Sequence, residues 1–296
     1  VYNTPVVPDG VIRGGVEIGK FDSELSELRP QGGATLEGTA FDIVNESDGS
    51  VVVDGKTIEP GQVAATIFSD ADGIARTAPD TLPYGDYSIG ESAPPDGYLG
   101  STQSMRFSVR EEGGVVDLTG QGIADDVIRG GMRIGKTDAD LGDARPQGDA
   151  TLEGTVFEIV NESANAVIVD GELHEPGSVV KAIRTDASGI AQTAPDALPY
   201  GEYLVREASA PVGYNVSDQA VAFSIGNDGE VVDLVRQGVA DKVKKGDISI
   251  MKYGETQTNP DEDPTIKHPL AGVEFEVVNE SAAAVVSPDG RLVDPG

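Results

Sequence analysis

The sequence repeats itself at a spacing of 116 residues, and this period limits the folds open to it. Val11-Ile12-Arg13-Gly14-Gly15 returns as Val127-Ile128-Arg129-Gly130-Gly131, and Arg29-Pro30-Gln31-Gly32 returns at Arg145 to Gly148. Ala34 to Thr39 returns at Ala150 to Thr155, Leu82-Pro83-Tyr84-Gly85 at Leu198 to Gly201, and Val115 to Leu118 at Val231 to Leu234. A shared period marks an array of like units. Each is long enough to hold its own core, so the units are beads on a string and not turns of a solenoid.

The spacing divides the chain into repeat 1 at 12–128, repeat 2 at 129–244 and the N-terminal part of a third repeat at 245–296. Residues 1–11 read as the end of a preceding unit or a linker. In the third copy Ile250-Met251-Lys252 aligns with Ile18-Gly19-Lys20. After a two-residue insertion, Val278 to Ser281 aligns with Val160 to Ser163. Half a sandwich cannot bury its sheet face, so the protein is expected to continue. No flexible stretch separates the copies, and such short connections favour a semi-rigid rod.

Within one unit, short alternating stretches are bounded by Gly, Pro, Asp and Asn, the pattern of an all-β fold. Strands are expected near Val16–Lys20, Gly38–Val44, Val63–Phe68, Gly73–Thr77, Tyr87–Glu91, Met105–Val109, Val115–Leu118 and Ile123–Val127. Turn chemistry falls between them at Asp54-Gly55, Glu59-Pro60-Gly61, Asp70 to Gly73 and Pro94 to Gly97. Asp22 to Leu28 is the nearest approach to a helix. Strand number and spacing suggest tandem two-sheet, Ig-like sandwiches. Phe41, Phe157 and Phe275 are expected in the cores, and Tyr98 and Tyr214 in core or turn packing.

Composition removes several functions. Asp and Glu number 51 against 21 Lys and Arg, a net charge of −30 that repels phosphate backbones and anionic lipid surfaces alike. Nucleic acid is therefore excluded as a partner. No apolar run is long enough to span a bilayer. There is no Cys, so no disulfide staples these domains. His174 and His268 stand alone, which argues against a metal site. Asp70-Ala71-Asp72-Gly73 opens like a calcium loop, but no Glu follows at the required distance and copy two has Ser188 in place of Asp72, so a β-turn is expected. No nucleotide loop or Ser-His-Asp set is present, and no cofactor is implied.

Three ionisable residues fall in apolar phase. In a strand, residues i and i+2 share a face. Val16, Ile18 and Lys20 therefore point one way, as do Met132, Ile134 and Lys136, and Ile248, Ile250 and Lys252. Tyr87, Ile89 and Glu91 form a second set, repeated by Tyr203, Val205 and Glu207. Ile123, Asp125 and Val127 form the third, repeated by Val239, Asp241 and Val243. Unpaired buried charge is costly. Burial lowers a Lys pKa and raises that of a carboxyl. The least costly arrangement gathers the three and redistributes their protons, which places a neutral amine beside a neutral acid. Held together away from water, these can condense to an amide, with Lys20 as nucleophile, Asp125 as acceptor and Glu91 as proton shuttle. Copy two would join Lys136 to Asp241 with Glu207. Lys252 would remain unpaired.

These residues resemble a known family. A strand ending in Lys, a later Tyr-x-x-x-Glu (Tyr87 to Glu91; Tyr203 to Glu207), a segment like Ala210-Pro211-Val212-Gly213-Tyr214, the Thr185-Asp186 to Gly189-Ile190 hairpin and a final strand carrying Asp are similar to Cna B-type domains, also called SpaA-like or prealbumin-like. The resemblance covers both complete copies and the start of the third. It implies Ig-like β-sandwiches of Gram-positive pilins and wall-anchored adhesins, many with a Lys–Asn or Lys–Asp isopeptide bond promoted by Glu. Two departures stand out: extra hairpin sequence around Val51 to Gln62, and Asp in place of the commoner Asn acceptor.

The sequence is thus expected to form a structural stalk or spacer on a cell surface, extracellular and cell-wall-anchored, with self-made Lys–Asp crosslinks and no enzymatic turnover. Its expected partners are neighbouring repeats of the same chain. The alternative is that the repeats bind a host matrix protein or glycan directly.

Overall fold

The computed structural model describes residues 9–254 and 268–296. Residues 1–8 of the segment read as closing a preceding unit, and 255–267 of the third copy, lie outside the described residues.

The first unit contains ten strands: β1 (Arg13–Asp22), β2 (Ala40–Asn45), β3 (Val51–Val53), β4 (Lys56–Ile58), β5 (Val63–Phe68), β6 (Ile74–Arg76), β7 (Leu82–Pro83), β8 (Gly85–Ala93), β9 (Ser104–Val109) and β10 (Val115–Asp125). One sheet runs β10-β1-β6 with β7 also on β1; the other runs β5-β2-β8-β9; β3 and β4 form a separate hairpin. The second unit repeats this with β11 (Arg129–Asp138), β12 (Val156–Asn161), β13 (Val167–Val169), β14 (Glu172–His174), β15 (Val179–Arg184), β16 (Ile190–Gln192), β17 (Leu198–Pro199), β18 (Gly201–Ser209), β19 (Ala220–Ile225) and β20 (Val231–Asp241). The described residues are all-β, and the two complete units are two-sheet sandwiches in tandem.

Alternation builds the cores. Val16 and Ile18 from β1 meet Phe41, Ile43, Leu82, Tyr87, Ile89, Phe107 and Ile123. The same positions in the second unit supply Met132, Ile134, Phe157, Ile159, Leu198, Tyr203, Val205, Phe223 and Val239. Tyr87 stacks on Phe107 with centroids 5.5 Å apart, and its hydroxyl donates to the Pro83 carbonyl at 2.8 Å, so the ring is buried without orphaning its polar end. Each fully buried Phe or Ile contributes about 1.5–3 kcal/mol.

The first and last strands of each unit lie side by side and run parallel. Ile18 pairs with Leu118, and after a bulge Lys20 pairs with Ile123. A Cβ on Gly122 would collide with the Gly19 carbonyl and the Phe21 ring, and one on Gly238 with the Gly135 carbonyl. Glycine is required at this close approach, and it fixes the register beyond the bulge.

Several expectations are corrected. The two final strands read from the sequence are one continuous β10, because the bulge at Gly122 bends the strand without ending it. Asp22 to Leu28 is a turn: the Asp22 carboxyl accepts the amides of Glu24 at 3.0 Å and Leu25 at 2.8 Å, and Ser26 adopts φ 55°, which ends any helix. In the third copy the described strands are only the short pairs β21 (Tyr253–Gly254) with β22 (His268–Pro269) and β23 (Val285–Val286) with β24 (Leu292–Val293). Ile248 and Ile250 are not in a strand and do not face a core, and Phe275 is 48% exposed. Among the described residues no second sheet covers them.

Candidate functional site

Each unit holds a charged cluster at the far end of its first strand. Lys20 is on β1 and Asp125 on β10. Since Lys20 pairs with Ile123, its side chain reaches Asp125 diagonally, two residues further along the parallel neighbour. Glu91 comes from the opposite sheet. The β2–β8 register shift between Ala40 and Phe41 sets Phe41 against Glu91, and the carboxyl then crosses the core towards β1. Lys20 Nζ is in ion-pair contact with both Glu91 Oε2 and Asp125 Oδ1, and all three side chains are sealed from solvent.

The second unit places Lys136, Glu207 and Asp241 in the same way. Lys136 Nζ contacts Asp241 Oδ1 and lies 3.4 Å from Glu207 Oε2, with no solvent access to any of the three side chains. Lys136 Nζ also donates to the Val239 carbonyl at 3.2 Å. Each Glu is held by a backbone amide: Ser101 N donates to Glu91 Oε1 at 3.1 Å, and Ser217 N to Glu207 Oε2 at 2.9 Å.

The two Asp carboxyls are different. Neither oxygen of Asp125 or of Asp241 accepts a hydrogen bond, although both groups are buried. The Lys amine is in ion-pair contact with one oxygen of each. Burial pushes the Asp125 carboxyl up to about 7; Lys20 opposes that rise and Glu91 adds to it. Asp241 is likewise pushed up to about 7 by burial, against the pull of Lys136. Each unit thus holds a dry carboxyl that retains its proton towards neutrality beside a Lys amine.

Lys252 is exposed and belongs to no such cluster among the described residues. Asp126 lies outside as well, accepting from Ser23 Oγ at 2.5 Å on the surface. The Asp70 loop is a β-turn in which the carboxyl accepts the amides of Asp72 at 3.1 Å and Ile74 at 3.0 Å. No group of three or more His, Asp or Glu among the described residues could hold a metal ion.

A second buried network adjoins each cluster, and the sequence pattern alone does not single it out. Asp22, Gln31 and Tyr98 are all buried. Tyr98 Oη donates to Asp22 Oδ2 at 2.8 Å, and Gln31 Nε2 donates to both Asp22 oxygens at 3.1 and 3.0 Å. Asp138, Gln147 and Tyr214 repeat it, with the Tyr–Asp bond at 2.7 Å. Burial, reinforced by the adjacent Asp, raises the pKa of both Tyr hydroxyls, so they remain donors. Two signals point to it in retrospect: Asp22 lies two residues beyond Lys20 in the same inward phase, and Gln31 lies in a duplicated tetrapeptide.

Comparison with known proteins fits this architecture. The family model of the SpaA prealbumin-like fold domain matches residues 16–122 and again 133–237, and the chain belongs to that family. None of the curated proteins matches it. Among solved structures, the Bacillus anthracis TIE protein is similar at 24% identity and a TM-score of 0.49, over 78% of this chain and 34% of that one; this chain therefore spans about a third of that protein's length. The minor pilin of Streptococcus agalactiae is similar at 16% identity and a TM-score of 0.32, over 81% of this chain and all of that one (100%). The shaft pilin SpaA from Lactobacillus rhamnosus GG is similar at 16% identity and a TM-score of 0.29, over 80% of this chain and 100% of that one.

Proposed function

We propose that this chain is a load-bearing stalk segment of an extracellular, surface-displayed protein, and that each complete unit, 12–128 and 129–244, closes its own Lys–Asp isopeptide bond. The observation that carries this reading is the pairing of a solvent-sealed Lys amine with a buried Asp carboxyl whose oxygens accept no hydrogen bond.

The chemistry is a condensation. Proton redistribution within the cluster gives a neutral amine and a carboxylic acid. Lys20 Nζ attacks Asp125 Cγ to form a tetrahedral intermediate. Glu91, in contact with the amine, takes a proton from nitrogen and returns it to the departing hydroxyl. Water leaves and an amide joins β1 to β10; the Glu ends in the protonation state in which it began. Lys136, Asp241 and Glu207 play the same parts in the second unit. The reaction occurs once per unit, so this is self-crosslinking and not turnover.

The topology gives the bond its use. Because β1 and β10 are parallel neighbours, tension entering at Arg13 runs along β1 to Lys20, crosses the amide to Asp125 and passes directly into β11. The chain between Lys20 and Asp125 carries no load. Membership of the SpaA family favours a shaft of this kind. Cell-wall anchoring is part of the same proposal and rests on family resemblance.

Intact-mass measurement under denaturing conditions tests this reading. The chain should weigh two waters less than its sequence, with Lys252 unmodified. Lys20→Ala and Asp125→Ala should each restore one water. A parent mass equal to the sequence mass would overturn the covalent reading.

A further inference from the structure

We propose that Gln31 and Gln147 are the coupling residues of a repeat-to-repeat joint, which holds successive units in one fixed orientation by reading the N-terminal hairpin of the unit that follows. This joint is separate from the crosslink chemistry and would stand without it.

Gln31 is buried, and its two ends face different units. Its Nε2 is tied to the Asp22 oxygens and to Glu24 Oε2 at 2.8 Å, within its own unit. Its Oε1 accepts the backbone amide of Ile168 at 2.8 Å, in strand β13 of the second unit. The carbonyl of Ile168 is held too, by Arg129 Nη2 at 2.9 Å, and the same nitrogen reaches both oxygens of Glu24 at 2.8 and 2.7 Å. Both outward backbone groups of one hairpin residue are therefore fixed through Gln31 and Glu24. Gly32 adds two main-chain bonds, its amide donating to the Ala166 carbonyl at 3.0 Å and its carbonyl accepting the Asn165 amide at 3.1 Å. Gly32 has φ 55°, and a Cβ there would collide with the Tyr200 carbonyl, so the approach demands glycine.

The joint is made twice. Gln147 Oε1 accepts the Val286 amide at 2.7 Å, in the hairpin of the third copy. The Gly148 amide donates to the Ala284 carbonyl at 3.1 Å, and its carbonyl accepts the Ala283 amide at 3.1 Å. Lys245 takes the place of Arg129, pairing with Asp140 at 2.9 Å. The contact has survived the two-residue insertion in the third copy and the Arg-to-Lys exchange, so the bond pattern is retained while the side chains around it vary.

Burial at the joint comes from the joint. Tyr200 packs against the small apolar cluster of Ala34, Leu36, Tyr98 and Val127 of the first unit. Its equivalent Tyr84, with no unit docked on it among the described residues, is 52% exposed; Val52, the equivalent of Ile168, is 46% exposed. The surface that receives the loop is thus the hairpin edge and adjoining Tyr of a like unit. Interfaces between domains usually permit relative motion. This one places a buried amide side chain, held at both ends, across the boundary, where a lost partner leaves a desolvated group unpaired.

The absence of Cys from the chain permits a direct test. Spin labels placed at the exposed turn positions through Ala71→Cys and Ala187→Cys, in the otherwise intact chain, report the distance between units by pulsed electron resonance. The parent should give one narrow distance distribution. Gln31→Ala should broaden it by roughly twofold, since the buried bond to the hairpin amide is lost and only the Gly32, Arg129–Glu24 and Tyr200 contacts remain across the boundary. Ile168→Pro, which removes the amide that Gln31 reads, at a strand position whose N–H points to Gln31 and not into the hairpin, and changes no residue of the first unit, should broaden it equally. Mass measured on the same samples separates joint from crosslink, because broadening is expected with the water deficit unaltered. A broad parent distribution, or narrow ones in both variants, would overturn the joint.

Discussion

Lys20 and Asp125 are neighbours on parallel strands set two residues out of step, with Lys20 opposite Ile123 and Asp22 opposite Asp125. This offset is what lets the Lys side chain lie along the sheet and end on the Asp carboxyl. A direct pairing would place the two side chains level, and the amine would overshoot. The register depends on the bulge that Gly19 and Gly122 allow, so a backbone feature beside the charges sets their contact.

Replacing Glu91 by Ala should restore one water to the intact mass, and replacing Glu207 by Ala should restore the other. The first unit would lose thermal stability alongside the first of these. Loop-closure entropy for a crosslink spanning about 100 residues is worth about 4.7 kcal/mol, a guide to the scale. An unchanged deficit in Glu91→Ala would remove the proton-shuttle role while leaving the Lys–Asp bond itself intact.

Lys20→Met cannot form the bond and leaves Asp125 with only the influences that raise its pKa, burial first and Glu91 second. The unfolded carboxyl titrates near 3.8 and the folded one at about 7 or above. The folded state therefore holds a proton that the unfolded state releases. Stability is fully present below pH 4 and is lost as pH rises through 7. The loss reaches roughly 4 kcal/mol, since each tenfold difference in proton affinity is worth about 1.36 kcal/mol. Melting of this variant across pH 4 to 8 should show a falling midpoint for the first unit; a flat or rising one would contradict a buried, protonated Asp125.

Pulling the chain from its ends should extend neither complete unit beyond the residues outside its crosslink. In Glu207→Ala the second unit should yield a new unfolding step that releases roughly 350 Å of contour from the chain between Lys136 and Asp241, at about 3.3–3.6 Å per residue. Single-molecule force spectroscopy reads this directly. The same step in the parent protein would mean that the strands are not covalently joined.

Tyr98→Phe removes the hydroxyl that donates to buried Asp22. Leaving that acceptor short should destabilise the first unit by about 1.5–3 kcal/mol in chemical denaturation. The mass deficit should not change, because Tyr98 touches none of the three reacting groups. Restored water in this variant would tie the second network to the chemistry.

Much is legible without coordinates because strand side chains have a period of two. Val16, Ile18 and Lys20 share a phase, as do Tyr87, Ile89 and Glu91, and this alternation alone marks which ionisable residues face inward. It does not show that Glu91 arrives from the other sheet, or that Asp125 lies diagonal to Lys20, since neither sheet order nor register is written in a local pattern. Asp22 has the same inward phase, yet its neighbours Glu24 and Leu25 suit a helical turn as well as the Asx turn they form, so its place in a buried network is hidden.

By itself the amino-acid sequence determined the repeat, the all-β class, the acidic surface and the inward phase of the charged residues, all of which follow from periodicity and composition. The tertiary structure alone decided that the first and last strands are parallel neighbours, that two sheets bring a Glu across to a Lys–Asp pair, and that a buried Gln ends on the backbone of the next unit. These are contacts between residues far apart in the chain. Their free energy depends on packing and register that form only when both sheets close on one core.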